Sequence, residues 1–255
     1  MLPAPRAPGH DGAVAPRAAR SAERGWTILE IGIVLALVGL LLALALPNFH
    51  AARIRNDEAA AVRTLREIAS AQAMVRRAAL VDMDGDGRGE HALLAELSGE
   101  RNPRSYGGAA GSRPAALPQF RLKISPEGEG EICGYRFRVF LPGPDGRAVP
   151  EAAGDPAGPV DPRLASEIWC AYAWPRRREG FLPAATGSRT FFASQAGEVL
   201  AADADYTAIP ARAEDGPRPP APGAAFQPPG PTDTITGPPS VGTKGRDGLV
   251  WRAVK

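Results

Sequence analysis

From Ile31 to Phe49 the chain carries no charge, and from Trp26 to Phe49 it carries one, Glu30. Roughly 20 apolar residues in a helix cross a hydrocarbon core of about 30 Å, so this run predicts a membrane-length helix near the front of the chain. A secretory signal peptide has a shorter apolar region, followed by small residues where it is cut, and no carboxylate at its start. Here the break signal, Gly25, comes before the apolar run. A cut after Gly25 leaves the helix on the mature protein and creates a new amino group on Trp26.

Gly25, the start Trp26-Thr27-Ile28-Leu29-Glu30, and an uninterrupted apolar helix with Pro47 inside it resemble the type IV pilin and pseudopilin family. The family usually has Phe or Met where this chain has Trp26. The resemblance is close over the apolar run and looser as far as Leu80. It implies cleavage between Gly25 and Trp26 by a prepilin peptidase and methylation of the new amine. It also implies insertion in the inner membrane beside an assembly platform, with the head on the periplasmic side. Copies of the chain, or other pilins or pseudopilins, would then join it in a pilus or a secretion pseudopilus.

Glu30 is costly where it stands. A carboxylate inside a membrane helix costs about 2.5 to 3.5 kcal/mol on insertion scales, so it calls for a partner or a place near the headgroups. The resemblance implies the partner: the free amine of Trp26 on a neighbouring subunit. In a low dielectric that pair would set the axial register between subunits.

Residues 1–25 read as a leader: Arg6, Arg17, Arg20 and Arg24 stand against Asp11 and Glu23, without apolar periodicity. Arg53, Arg55, Arg63 and Arg66 follow the apolar run, so charge alone does not orient the helix. Removing four basic and two acidic residues takes away the whole formal charge of +2 and leaves residues 26–255 neutral. Such a chain has no basic footprint for nucleic acid.

Residues 26–49 are thus the membrane or filament-core half of a helix. Gly32 and Gly39 let neighbouring helices approach closely, or are simply common helix residues. Pro47 removes a backbone hydrogen bond and loosens the helix there. Residues 50–80 continue it as an amphipathic half, because Ile54, Val62, Leu65, Ile68, Ala69, Val75 and Ala79 recur at helical steps. Asp57 and Glu58, with Arg63 and Arg66, are expected on its polar outer face.

Residues 81–118 open with Asp82-Met-Asp84-Gly-Asp86-Gly-Arg-Gly-Glu90. Alternate Asp residues bring three carboxylates around one point, as in the start of a calcium loop. An EF-hand would place Glu at position 93, where Leu93 stands, so Glu90 would serve from nearer. The motif reads either as a structural Ca²⁺ site or as a solvated turn that ends the long helix. Leu93, Leu94 and Leu97 suggest a short helix, and residues 102–118 an irregular connection.

Residues 119–207 are expected to form an antiparallel β head. Phe120, Leu122 and Ile124 alternate with polar residues, and so do Cys133, Tyr135, Phe137, Val139 and Leu141. Residues 142–163 read as a Pro/Gly-rich loop, residues 168–174 as a strand, and residues 190–201 as a hairpin around Gln195-Ala-Gly197. The fold class is therefore α+β, a long helix packed on a small antiparallel sheet, and the resemblance makes it pilin-like. Cys133 and Cys170 are the two cysteines; they form either a bridge in an oxidising compartment or two buried free thiols. Residues 208–255 are a Pro/Gly-rich tail, mobile or laid over the head, whose Trp251 is either an anchor or exposed.

Signals of catalysis are scarce. His10, His50 and His91 are scattered, so neither a zinc cluster nor a Ser-His-Asp set is evident, and the expectation is a chain without catalytic residues. Residues 237–244 invert the Lys-Ser/Thr order of a phosphate loop. The sequence reads as a structural subunit that polymerises through its N-terminal helix. The alternative is a single-pass membrane protein that never polymerises and displays a calcium- or ligand-binding head; an anchored hydrolase is the weaker third.

Overall fold

The computed structural model describes residues 26–105, 122–176, 186–202 and 219–254. The leader, Gly25 and the beginning of the strand expected from Gln119 lie outside the described residues. The chain divides into two units, residues 1–45 and 46–255. A single α-helix, α1 (Ile28–Arg77), includes Pro47.

In the first unit the described part is helix from Ile28 onward. Each described side chain from Trp26 to Ala45 is exposed, Ile28 at 94% and Leu41 at 66%. The run is long and apolar enough to cross a membrane.

In the second unit, α1 buries a stripe at alternating three- and four-residue steps: Glu58, Ala61, Leu65, Ile68, Gln72 and Val75. Four of the six are apolar and pack on a sheet; the other two are polar and individually satisfied. The expectation that Glu58 lies on the outer face is therefore corrected. Glu58 is buried, and its carboxylate accepts from Ser188 N–H (3.1 Å), Ser188 Oγ (2.9 Å) and the Arg189 guanidinium (2.6 and 2.8 Å). Burial works to raise its pKa, but these donors outweigh it and hold the carboxyl below its ordinary value. Gln72 exchanges two 2.8 Å hydrogen bonds with the backbone of Ala92. Asp57, half-buried, faces Arg53 at 3.8 Å.

The sheet is antiparallel throughout. Its strands are β1 (Lys123–Ile124), β2 (Gly130–Ile132), β3 (Tyr135–Pro142), β4 (Ala148–Ala152), β5 (Asp155–Pro156), β6 (Cys170–Pro175), β7 (Thr190–Ser194), β8 (Val199–Ala202) and β9 (Arg252–Ala253). The order is β1-β2-β3-β6-β7-β8-β9, with β4 joined to one end of β3 and β5 to β4. Residues 142–163, expected as a loop, thus contain β4 and β5. Their Pro and Gly residues mask a short hairpin whose β3–β4 register pairs Leu141 with Val149. Two short helices, α2 (Leu94–Ser98) and α3 (Pro162–Ala165), complete the described elements.

Both faces of the sheet are covered. On one, Tyr135, Phe137, Val139, Ala171, Ala173, Phe191 and Ala193 pack with the α1 stripe. On the other, Phe140, Cys170, Tyr172, Trp174, Phe192 and Leu200 pack with Ala224, Phe226, Ile235 and Trp251 of the C-terminal segment. That two-sided burial is why β6, β7 and β8 are buried at every position. The small Ala side chains of β6 face the helix, and its large aromatics face the C-terminal segment. Trp251 is fully buried, its ring 6.0 Å from Tyr172 and 6.1 Å from Phe192.

No bridge joins the cysteines: Cys133 is an exposed free thiol and Cys170 a buried one. Cys133 and Gly134, both at positive φ, form the two-residue turn between β2 and β3 instead of starting β3. Cys170 pairs with Phe140 at the other end of β3. Five residues of strand separate Phe140 from Tyr135, about 17 Å at ~3.3 Å per residue, whereas a disulfide needs Cα atoms within about 7 Å.

Candidate functional site

At its start α1 is closed by its own side chains. Thr27 Oγ1 accepts from the Glu30 N–H at 3.2 Å, and a Glu30 carboxylate oxygen accepts from the Thr27 N–H at 3.4 Å. This reciprocal pair is a capping box, and the Thr-x-x-Glu spacing in the sequence already encodes it. Glu30 thus satisfies a free N–H at the positive end of the helix while remaining exposed. Trp26 stands beside it, also exposed.

At the other end, α1 stops at Arg77, Ala79 takes a left-handed backbone (φ 45°), and Val81 drops into the core. The Asp loop follows. Its carboxylates fold inward onto its own backbone. Asp82 Oδ1 accepts from Gly85 N–H (2.8 Å) and Oδ2 from Gly87 N–H (3.2 Å). Asp84 accepts from Asp86 N–H (3.2 Å), and Asp86 from Arg88 N–H (2.7 Å). One carboxylate oxygen from each of Asp82, Asp84 and Asp86 lies within 4.8 Å of the other two.

The loop then returns across the last turn of the helix. A Cβ on Gly89 would stand 2.0 Å from the Arg76 carbonyl oxygen, so the crossing leaves room only for glycine. Glu90 next donates its N–H to Val81 O (2.8 Å) and accepts from Met83 N–H at 2.6 Å. Its side chain is 1% exposed, and its Oε2 has no hydrogen-bond partner. Burial pushes its pKa up; Met83 N–H and the Arg104 charge pull it back, and Asp84 and Asp82 add to the rise. Leu93, where an EF-hand would have its last ligand, is wholly buried in the core.

A cleft of about 650 Å³ opens beside this crossing, between Arg76 and Arg77 of α1, Arg88 of the loop, and Trp169 and Gln195 of the sheet side. His91 lines it, nearly buried, with neither ring nitrogen hydrogen-bonded. Burial foremost, and the Arg76 charge after it, push its pKa down to about 3, so the imidazole is neutral. His91 packs beside Trp169 at a ring distance of 5.9 Å.

Three further polar groups escape a reading of the sequence. Glu96 receives Arg104 Nε at 2.9 Å and the Leu93 N–H at 2.7 Å. Glu151 is buried and accepts from Ala95 N–H at 3.2 Å, so that β4 holds the start of α2. Glu58, described above, ties α1 to the approach to β7. Glu58 and Glu151 join segments far apart in the chain, and no local spacing announces such a pairing.

The structure brings Asp82, Asp84, Asp86 and Glu90 to one loop, and Trp26 and Glu30 to one helix start. It separates Cys133 from Cys170, and Pro47 lies inside α1. Comparison with protein-family models, with curated proteins and with solved structures finds no match for this chain.

Proposed function

We propose that this chain is a pilin-like structural subunit, anchored in the inner membrane and polymerising through the first half of α1. The observation that carries the reading is Glu30, a lone carboxylate at the head of a charge-free run. Each described side chain from Trp26 to Phe49 is exposed. An exposed apolar surface of that length needs a membrane or copies of itself to cover it. Among the described residues, the α1 stripe that packs on the sheet lies in the second half of the helix, and the described side chains up to Phe49 are exposed.

The capping box gives Glu30 two states of use. In the single chain it closes its own helix. In the filament the same carboxylate turns to the amine of Trp26 on a neighbour, an ion pair far stronger in the low dielectric of a helix bundle than in water. A prepilin peptidase cuts after Gly25 and exposes that amine, and methylation follows. The growing filament then takes subunits from the membrane as a type IV pilus or a secretion pseudopilus.

The N-terminal sequence and mass of the protein from its own cells test this. A chain that starts at Trp26 and is heavier by one methyl is the expected result. Glu30→Ala should remove filament assembly while the chain stays in the membrane. An intact leader, or a Glu30→Ala variant that assembles normally, would favour a single-pass protein that never polymerises.

A further inference from the structure

We propose that the loop from Asp82 to Glu90 is a calcium site that fastens the end of α1 to the head. Three carboxylate oxygens converge within 4.8 Å, one each from Asp82, Asp84 and Asp86. A second observation is independent of that cluster. Glu90 is 1% exposed, yet its Oε2 has no partner, while its Oε1 rests on the N–H of Met83, between the first two aspartates. A buried carboxylate with half its acceptors unused, set against a loop of like charges, is what a bound cation would resolve. Arg88 stands 4.0 Å from Asp86 and is itself largely in solvent, and the Arg104 charge also acts on Glu90.

The donor chemistry selects the ion. All four side chains offer hard oxygen, and neither nitrogen nor sulfur joins them, which suits Ca²⁺ or Mg²⁺ and not zinc. Ca²⁺ takes six to eight oxygens in an adaptable geometry and accepts carboxylates, backbone carbonyls and water together. Mg²⁺ demands a near-ideal octahedron and keeps its waters, which suits a curled loop of alternating Asp poorly. Gly85 and Gly87, at φ 74° and 80°, supply the left-handed turns that fold the loop around a centre. Glu90 serves at the ninth position, because Leu93 at the twelfth is part of the core.

The ion's place in the fold defines what it does. The loop leaves α1 at one end and crosses back over Arg76 through Gly89, and Gln72 clamps Ala92 just beyond. A cation held there joins the helix that reaches the membrane to the segment that enters the head. The site owes nothing to polymerisation and stands whether or not the chain forms filaments.

The test uses the full chain in detergent, stripped of metal. Calcium titrated by calorimetry should bind one ion per chain, and millimolar Ca²⁺ should raise the melting temperature by roughly 5 °C, with Mg²⁺ weaker. Asp84→Asn keeps its backbone hydrogen bond and is exposed, so it should fold normally in chelator but lose at least about tenfold in calcium affinity. Glu90→Gln should lose affinity as well while melting no lower than the parent in chelator, because a neutral amide suits the buried position better. Absence of binding heat and of any calcium-dependent melting shift in the parent chain would overturn the proposal. A shift that persists unchanged in Asp84→Asn would do the same.

Discussion

Glu151 shows how a single buried carboxyl gives the head a pH dependence. Burial pushes its pKa from 4.5 up to about 7; the Ala95 and Leu94 N–H groups oppose the rise, and Glu96 and Glu100 add to it. Arg101 is a cation nearby. Because the folded-state pKa is raised, the folded chain holds the proton more tightly than the unfolded chain. The stability from that proton is fully present below pH 4.5 and is lost as pH rises to about 7, on the order of 3 kcal/mol in all. Urea midpoints measured from pH 4.5 to 8 should therefore fall with pH less steeply in Glu151→Gln than in the parent. Equal slopes would mean that Glu151 stays ionised in the fold. At this scale the sequence shows some groups and hides others. Thr27 and Glu30 are three residues apart, so their capping box is local and legible. Glu58 looks like a surface residue of an amphipathic helix because its partner Arg189 lies 131 positions away.

Among the elements, β3 and β6 decide the fate of the cysteines. The register that sets Cys170 opposite Phe140 leaves Cys133 in a turn beyond the far end of β3. Burial also pushes the Cys170 thiol far above its ordinary pKa, which removes the reactive thiolate. A thiol reagent should label one cysteine, Cys133, in the native chain and both after unfolding, without prior reduction. Labelling of neither in the unfolded, unreduced chain would restore the bridge. The C-terminal segment behaves as an element too, although it is built from turns and isolated bridges more than from regular structure. Its Phe226 and Trp251 complete the second face of the sheet, and Trp251→Ala should cost about 3 to 5 kcal/mol. Urea unfolding measures the loss, and limited proteolysis should then cut within residues 219–254. Low apolar content made this segment look unable to fold. Its few large side chains suffice because the sheet supplies the opposite wall.

For the whole molecule, the exposed apolar run and the folded head belong to one chain but to different units. On the function proposed above, Glu30→Ala should abolish assembly and leave the melting temperature of the head where it was; a large drop would show that Glu30 serves folding instead. Short-range patterning along the chain is enough to place the local features. The charge-free run made a membrane-length helix, the three- and four-residue steps continued it, alternation made β3, and the Asp spacing made a loop of converging carboxylates. Which pairs meet across the chain is settled by long-range packing. Glu58 and Arg189, Gln72 and Ala92, Trp251 and Tyr172, and the separation of Cys133 from Cys170 all depend on strand order and register. Those are set by how two faces of one sheet are covered at once, a long-range packing solution that no local stretch of residues contains.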